Sequence, residues 1–281
     1  MSAKLEVLLN GLKFGEGPRW RDGKLWFSDF YAYKVMTVDL RGRTEVVAEV
    51  PTRPSGLGWT PDGTLLVVSM LDHRLLAIEG KRQRVVADLT PLVGGLCNDM
   101  VVDGKGRAYV GNFGFDRHRN EAPRTTVLVR VDPDGRMTAV ADELMFPNGT
   151  VISPDGKTLI VAETFAGRLT AFDVAADGSL GNRRIFAEIE DCWPDGICLD
   201  AEGAVWVTNP RGHAVLRVFE GGRIAETVST GERHSYACML GGADRRTLFV
   251  ITNSNSGPAM EQKNDGRIET VRVTVPGAGW P

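Results

Sequence analysis

Strand-sized apolar runs recur along the chain, each folding back through an acidic or glycine turn and each preceded, five to seven residues upstream, by a short and often polar cluster. The turns are Asp22-Gly23, Asp62-Gly63, Asp103-Gly104, Asp155-Gly156, Asp200 to Gly203 and Asp244-Arg245, spaced by 40, 41, 52, 45 and 44 residues. Repeats of this length that carry strands signal a β-propeller with one four-stranded blade per repeat. In the first repeat Gly15-Glu16-Gly17-Pro18 enters a hairpin, and Lys24 to Asp29 returns with aromatic residues suited to a pleated surface. Lys34 to Val38 and Thr44 to Ala48 follow as outer strands. Equivalents of the returning strand are Leu65 to Ser69, Ala108 to Asn112, Leu159 to Glu163, Val205 to Asn209 and Leu248 to Thr252. Helical periodicity is absent.

Leu5 to Leu9 and Ile268 to Val275 both alternate as strands. A propeller must join its last blade to its first, and an N-terminal strand pairing into the C-terminal blade does so while removing the open edges. The expected fold is therefore all-β: a six-bladed β-propeller closed by that N-terminal strand, with residues 1–281 forming one domain. The one irregularity is the third repeat, where Phe113 to Thr126 inserts a polar loop.

Aligned on their turns, the six upstream clusters fall into one register whose central residues are Glu16, Ser55, Asn98, Asn148, Asp195 and Ala237. If these begin the innermost strands, they converge on the axis. Any single Asn-Gly or Asp-Gly is an ordinary turn former. Oxygen-bearing side chains at equivalent positions of several repeats, two of them carboxylates and none of them His or Cys, are instead the ligand chemistry of a hard divalent cation. A cation would also relieve the repulsion between two carboxylates forced together. The returning strands end on a second polar register, Asp29, Ser69, Asn112, Glu163, Asn209 and Thr252, which is either a solvated rim or a shell that orients the ligands.

The net charge of −3 gives no basic field for nucleic acid or anionic lipid, and nowhere do enough apolar residues run together to span a bilayer. The N-terminus MSAKLEVLLN lacks the basic and apolar regions of a signal peptide, so the expectation is a soluble, cytoplasmic protein acting on a small molecule. The sequence says nothing of its oligomeric state. Cys97, Cys192, Cys198 and Cys238 have no metal-binding spacing and are expected as reduced thiols, Cys97 as a structural one turned away from the axis.

Glu16-Gly17-Pro18, Pro147-Asn148-Gly149 with Ser153-Pro154-Asp155-Gly156-Lys157, and Pro194-Asp195-Gly196 with Asp200 and Val205-Trp206-Val207 resemble the SMP-30/gluconolactonase/LRE-like proteins. These are six-bladed propellers that include regucalcin and lactonases. The similarity spans almost the whole chain. It implies that Glu16, Asn148 and Asp195 bind one divalent metal ion, Ca²⁺ foremost with Mg²⁺, Mn²⁺ or Zn²⁺ as alternatives. It further implies that Asn98 contacts substrate or supplies a fourth ligand, that Asp195 is the base or nucleophile, and that the reaction is metal-assisted hydrolysis of a cyclic ester.

One departure bears on the substrate. Sugar-lactone members commonly carry Arg two residues before Asn98, where this chain has Leu96. Without that fork of donors, and with Phe14, Phe146, Trp193 and Tyr236 flanking the ring, the mouth is expected to suit a lactone less polar than an aldonolactone. Trp193 is expected as a pocket wall. His118, flanked by Arg117 and Arg119 in the polar insertion, and His234 are candidates to approach the mouth as acid–base groups. Competing readings are organophosphate hydrolysis or enolate chemistry on the same metal, and a calcium-binding or interaction propeller without catalysis.

Overall fold

Each acidic turn closes a hairpin between the two inner strands of a blade, by two different devices. Between β2 (Gly15–Arg21) and β3 (Lys24–Asp29), Asp22 and Gly23 both occupy the left-handed region, at φ 52° and 76°, as a two-residue hairpin turn requires. The later turns are longer. There the Oδ1 atoms of Asp62, Asp103, Asp155, Asp200 and Asp244 accept the backbone N–H two residues on, at 2.8 to 3.1 Å. The carboxylate substitutes for a backbone turn contact, so the tight geometry of the first hairpin does not carry through the other repeats.

The structure is a computed structural model that describes residues 4–116 and 119–279. Six four-stranded antiparallel sheets surround one axis. The first blade is β2, β3, β4 (Lys34–Val38) and β5 (Thr44–Glu49). The second is β6 (Pro54–Trp59), β7 (Leu65–Ser69), β8 (Arg74–Glu79) and β9 (Arg82–Asp88). The third comprises β10 (Cys97–Val102), β11 (Ala108–Asn112), β12 (Thr126–Val131) and β13 (Met137–Leu144). The fourth comprises β14 (Pro147–Ile152), β15 (Thr158–Glu163), β16 (Arg168–Val174) and β17 (Leu180–Glu188). The fifth runs through β18 (Ile197–Leu199), β19 (Val205–Asn209), β20 (Ala214–Val218) and β21 (Ile224–Ser229).

The sixth blade uses β22 (His234–Gly241), β23 (Thr247–Asn253) and β24 (Gly266–Arg272), and its outermost strand is β1 (Glu6–Leu12) from the other end of the chain. The pairing runs from Glu6 opposite Thr270 to Leu12 opposite Gly266, which is the closure the sequence predicts. The C-terminal strand stops at Arg272 rather than continuing to Val275.

Strands β7, β10, β14, β19 and β23 are buried along their whole length, because each blade is sandwiched between two neighbours. Both faces then need apolar side chains, which is why β7, β19 and β23 read as near-continuous apolar runs rather than alternating ones. Trp206, Tyr109 and Phe249 are fully buried between blades, and side chains of this kind stabilise by about 1.5–3 kcal/mol each. The outermost strands β5 and β9 are largely exposed and carry the charges. No helix among the described residues is long and apolar enough to cross a membrane.

Candidate active site at the propeller axis

The innermost strands lose their regular pairing where the ring residues stand. The register breaks between Glu16 and Arg19 in β2, Pro54 and Leu57 in β6, Cys97 and Met100 in β10, and Pro147 and Thr150 in β14. Strand β18 begins only after Asp195-Gly196. Such irregularities re-aim side chains and free the backbone for other partners. Here the partner is the next blade: Gly149 N–H donates to the Asp195 carbonyl at 3.2 Å, and Gly196 N–H to the Tyr236 carbonyl at 2.8 Å.

This close approach gives the glycines after the ring residues their role. A Cβ on Gly149 would lie 2.5 Å from the Asp195 carbonyl oxygen, and one on Gly56 would lie 2.5 Å from the Met100 nitrogen. Both are spacers between inner strands, not turn formers.

Glu16, Asn98, Asn148 and Asp195 line one cavity at the axis. The asparagines are buried, and the carboxylates are partly open to the cavity. The amides lie on a hydrogen-bonded chain that crosses four blades. Ser55 Oγ donates to Asn98 Oδ1 at 3.2 Å, and Asn98 Nδ2 donates to Asn148 Oδ1 at 2.8 Å. Asn148 Nδ2 in turn donates to Thr164 Oγ1 at 3.1 Å, whose hydroxyl donates to the Pro194 carbonyl at 2.8 Å, directly before Asp195.

Removal from water, then the nearby charges of Asp195 and Asp99, push the Glu16 carboxyl well above its usual range, opposed by the Gly17 N–H. Asp99 is itself raised by burial, an effect offset in part by Arg19, whose Nη2 stands 3.2 Å from Asp99 Oδ1. A cavity that crowds carboxylates while presenting amide oxygens beside them has the donor set of a hard divalent cation, and these residues fit one.

Of the rim residues expected from sequence, Leu96, Phe146 and Tyr236 line the cavity. Phe146 is buried at φ 60°, an unusual conformation for an aromatic residue, and stacks on Phe113 at 4.3 Å. Phe14 packs on Tyr236 at 4.6 Å. Trp193 is not brought to the cavity. It is 42% exposed and lies edge-on to Phe165 at 5.6 Å, with the Arg211 guanidinium 5.4 Å from its ring. His118 and Arg117 lie outside the described residues. His234 stands apart from the cavity lining, with Nδ1 2.7 Å from the Pro210 carbonyl oxygen and its ring 4.5 Å from that of His213. Cys97 is a buried free thiol that burial pushes up to about 12, away from the thiolate form.

Residues 14–254 match the SMP-30/Gluconolactonase/LRE-like region. The chain belongs to the SMP-30/gluconolactonase/LRE-like family. It is 28% identical to the 6-deoxy-6-sulfogluconolactonase of Pseudomonas putida over 277 residues, covering 95% of this chain and 94% of that one. Regucalcin of Gallus gallus is 27% identical over 265 residues, covering 90% and 88%. The fold matches that of a calcium-binding protein, regucalcin, from Agrobacterium tumefaciens with a TM-score of 0.83 at 23% identity, over 99% of this chain and 97% of that one.

In this SMP-30/gluconolactonase/LRE-like chain the second polar register is buried, and it holds the segments that enter the inner strands. Asp29 accepts the Phe14 N–H at 2.8 Å, Glu163 the Met145 N–H at 2.8 Å, and Asn209 the Trp193 N–H at 3.2 Å. Each contact falls two or three residues before a ring residue, so the register fixes the backbone from which Glu16, Asn148 and Asp195 project. It is neither a solvated rim nor a direct partner of the ring oxygens.

Sequence reasoning missed Arg53, Phe30, Tyr31 and Phe113 in the cavity wall. Arg53 could have been found by register, since it stands two residues before Ser55, as Phe14, Leu96 and Phe146 stand two before their own ring residues. Among the described residues, the mouth thus combines an aromatic wall with one cation.

Proposed function

We propose that this protein is a lactonase, an esterase-type hydrolase that opens a cyclic ester at the axial cavity with the help of one divalent cation. The observation that carries the reading is the convergence of Glu16, Asn98, Asn148 and Asp195 on one cavity within a family whose relatives include a named lactonase. Glu16, Asn148 and Asp195 would hold the ion, with Asn98 beside them, and Ca²⁺ is the first candidate because a relative of this fold is described as calcium-binding. When bound, such an ion polarises a carbonyl and acidifies a water molecule.

The chain's own residues account for the rest. Asp195, partly open to the cavity, accepts a proton from the attacking water. As the ring C–O bond breaks, the same carboxyl returns the proton to the departing alkoxide, leaving a hydroxy acid. Asn98 and Asn148 are fixed by the interblade chain, so they present their amides without reorganisation. Phe14, Phe146 and Tyr236 exclude bulk water and suit a lactone less hydroxylated than an aldonolactone.

The test is initial-rate hydrolysis of a panel running from gluconolactone to γ- and δ-alkyl lactones. The proposal expects the alkyl lactones to show the higher kcat/KM. A preference for gluconolactone overturns the polarity claim, and no turnover of any member overturns the lactonase reading.

A further inference from the structure

We infer that Arg53 is the specificity residue of the axial cavity and selects a lactone that carries an anionic group, such as a ring carboxylate. The inference rests on the lactonase reading for the reaction but on separate residues for recognition.

Arg53 lines the same cavity as Asn98, Asn148 and Asp195. It precedes β6 at φ 66°, a left-handed conformation that a long side chain adopts only when its surroundings hold it there. Two contacts do so. The guanidinium carbon lies 4.8 Å from the centre of the Tyr31 ring, and Nη2 stands 3.7 Å from Glu261 Oε2. Glu261 is fixed in turn by the Tyr33 hydroxyl, which donates to Oε1. At 3.7 Å the Glu261 contact is an ion pair and not a hydrogen bond. The Arg53 Nε is buried without a hydrogen-bond partner among the described residues.

A guanidinium held over an aromatic ring, its charge steadied but its Nε without a hydrogen-bond partner among the described residues, is pre-organised to fork onto a carboxylate, sulfonate or phosphate oxygen pair. Among the described residues the rest of the wall includes Phe14, Phe30, Leu96, Phe113 and Phe146 and offers no second cation. A small lactone with one anionic substituent and an otherwise hydrocarbon body satisfies both parts of the wall. A neutral lactone leaves the Arg53 donors unmatched, and a polyhydroxylated one leaves its hydroxyls against phenyl rings.

The experiment compares γ-butyrolactone bearing a carboxylate on its γ-carbon with the neutral carboxamide of the same shape. The readout is the ratio of their kcat/KM values for the wild-type protein, Arg53→Gln and Arg53→Lys. We expect the wild type to prefer the carboxylate by about tenfold or more, the value of one charge-assisted contact, with Arg53→Gln abolishing the preference and Arg53→Lys keeping part of it. Equal ratios in the wild type and Arg53→Gln overturn the inference, including the case where Arg53→Gln lowers both rates alike, as a purely structural arginine would. Where neither lactone turns over, the lactonase reading fails and the same ratio is taken from calorimetric binding of the two compounds. A carboxylate preference that depends on Arg53 then still supports the anion site, and its absence overturns it.

Discussion

Asn98 Nδ2 donates to Asn148 Oδ1 at 2.8 Å, joining the inner strands of the third and fourth blades at the axis. The contact sets the direction of both amides. Asn98 Oδ1 is already engaged by Ser55, and Asn148 Nδ2 by Thr164, so neither side chain can flip without losing a partner. Asn98→Ala should leave buried groups unpaired at a cost of about 1–3 kcal/mol and lower kcat/KM by roughly ten- to a hundredfold. Thermal denaturation with steady-state kinetics checks both, and unchanged kinetics would show that the chain is only structural.

Gly149→Ala should be more damaging than its size suggests. The new methyl would meet the Asp195 carbonyl oxygen at 2.5 Å and the Ile197 nitrogen at 2.6 Å, both backbone atoms with no rotamer to change. The expected loss is about 1–3 kcal/mol, the range for overpacking, or more, together with a displaced Asp195 and depressed activity. Urea unfolding measures the first. Gly156→Ala serves as control, because a Cβ there meets nothing within 4 Å. Its φ of 70° brings only local strain.

The stability of metal-free protein should fall with rising pH. Glu16 holds its proton more tightly when folded than when unfolded, owing to burial and then to Asp195 and Asp99. That contribution is full below the unfolded-state value, about 4.3, and is lost as pH rises toward the folded-state value. Glu16→Gln should flatten the dependence. A divalent cation must displace the same proton, so its affinity should rise with pH across the window and proton release should accompany binding. Calorimetric titration of Ca²⁺ in two buffers of different ionisation enthalpy reads the released protons. Binding without release would contradict the assignment of Glu16.

Glu163→Gln should loosen the site without touching it. Burial alone would raise this carboxyl, but Arg168, Thr170 and the Met145 N–H together hold it below its ordinary value. It therefore stabilises the fold above the unfolded-state value and the benefit is lost as pH falls through the folded one. Removing the charge leaves Arg168 without its buried partner, an expected loss of about 3–5 kcal/mol scaled down by the partial exposure of Arg168. Because Glu163→Gln already lacks this charged-state stabilisation, its acid unfolding should begin at higher pH than that of wild type, and coincident transitions would rule this out.

The blades were legible because the turns and the strands after them repeat at near-constant spacing, and the ring because its members keep one offset from those turns. The mouth was less legible, for a physical reason. Its residues come from segments before the inner strands, whose direction is set by the register breaks and by tethers such as Asp29 to Phe14. Phe14, Arg53, Leu96 and Phe146 share a position and reach the cavity. Trp193 shares it too, yet its strand starts late, at Ile197, and its ring is drawn to Phe165 and Arg211. A pattern of residue types identifies the position but not the tether.

The axial cation site as a lactone-opening centre is tested most directly by pH-stat hydrolysis of a γ-lactone with metal-stripped protein, before and after Ca²⁺ or Mn²⁺ is added, alongside Glu16→Gln and Asp195→Asn. The account predicts activity that the cation restores in wild type, with Asp195→Asn folded but slower by about a hundredfold or more. Full activity in the stripped protein, or in Asp195→Asn, would contradict it.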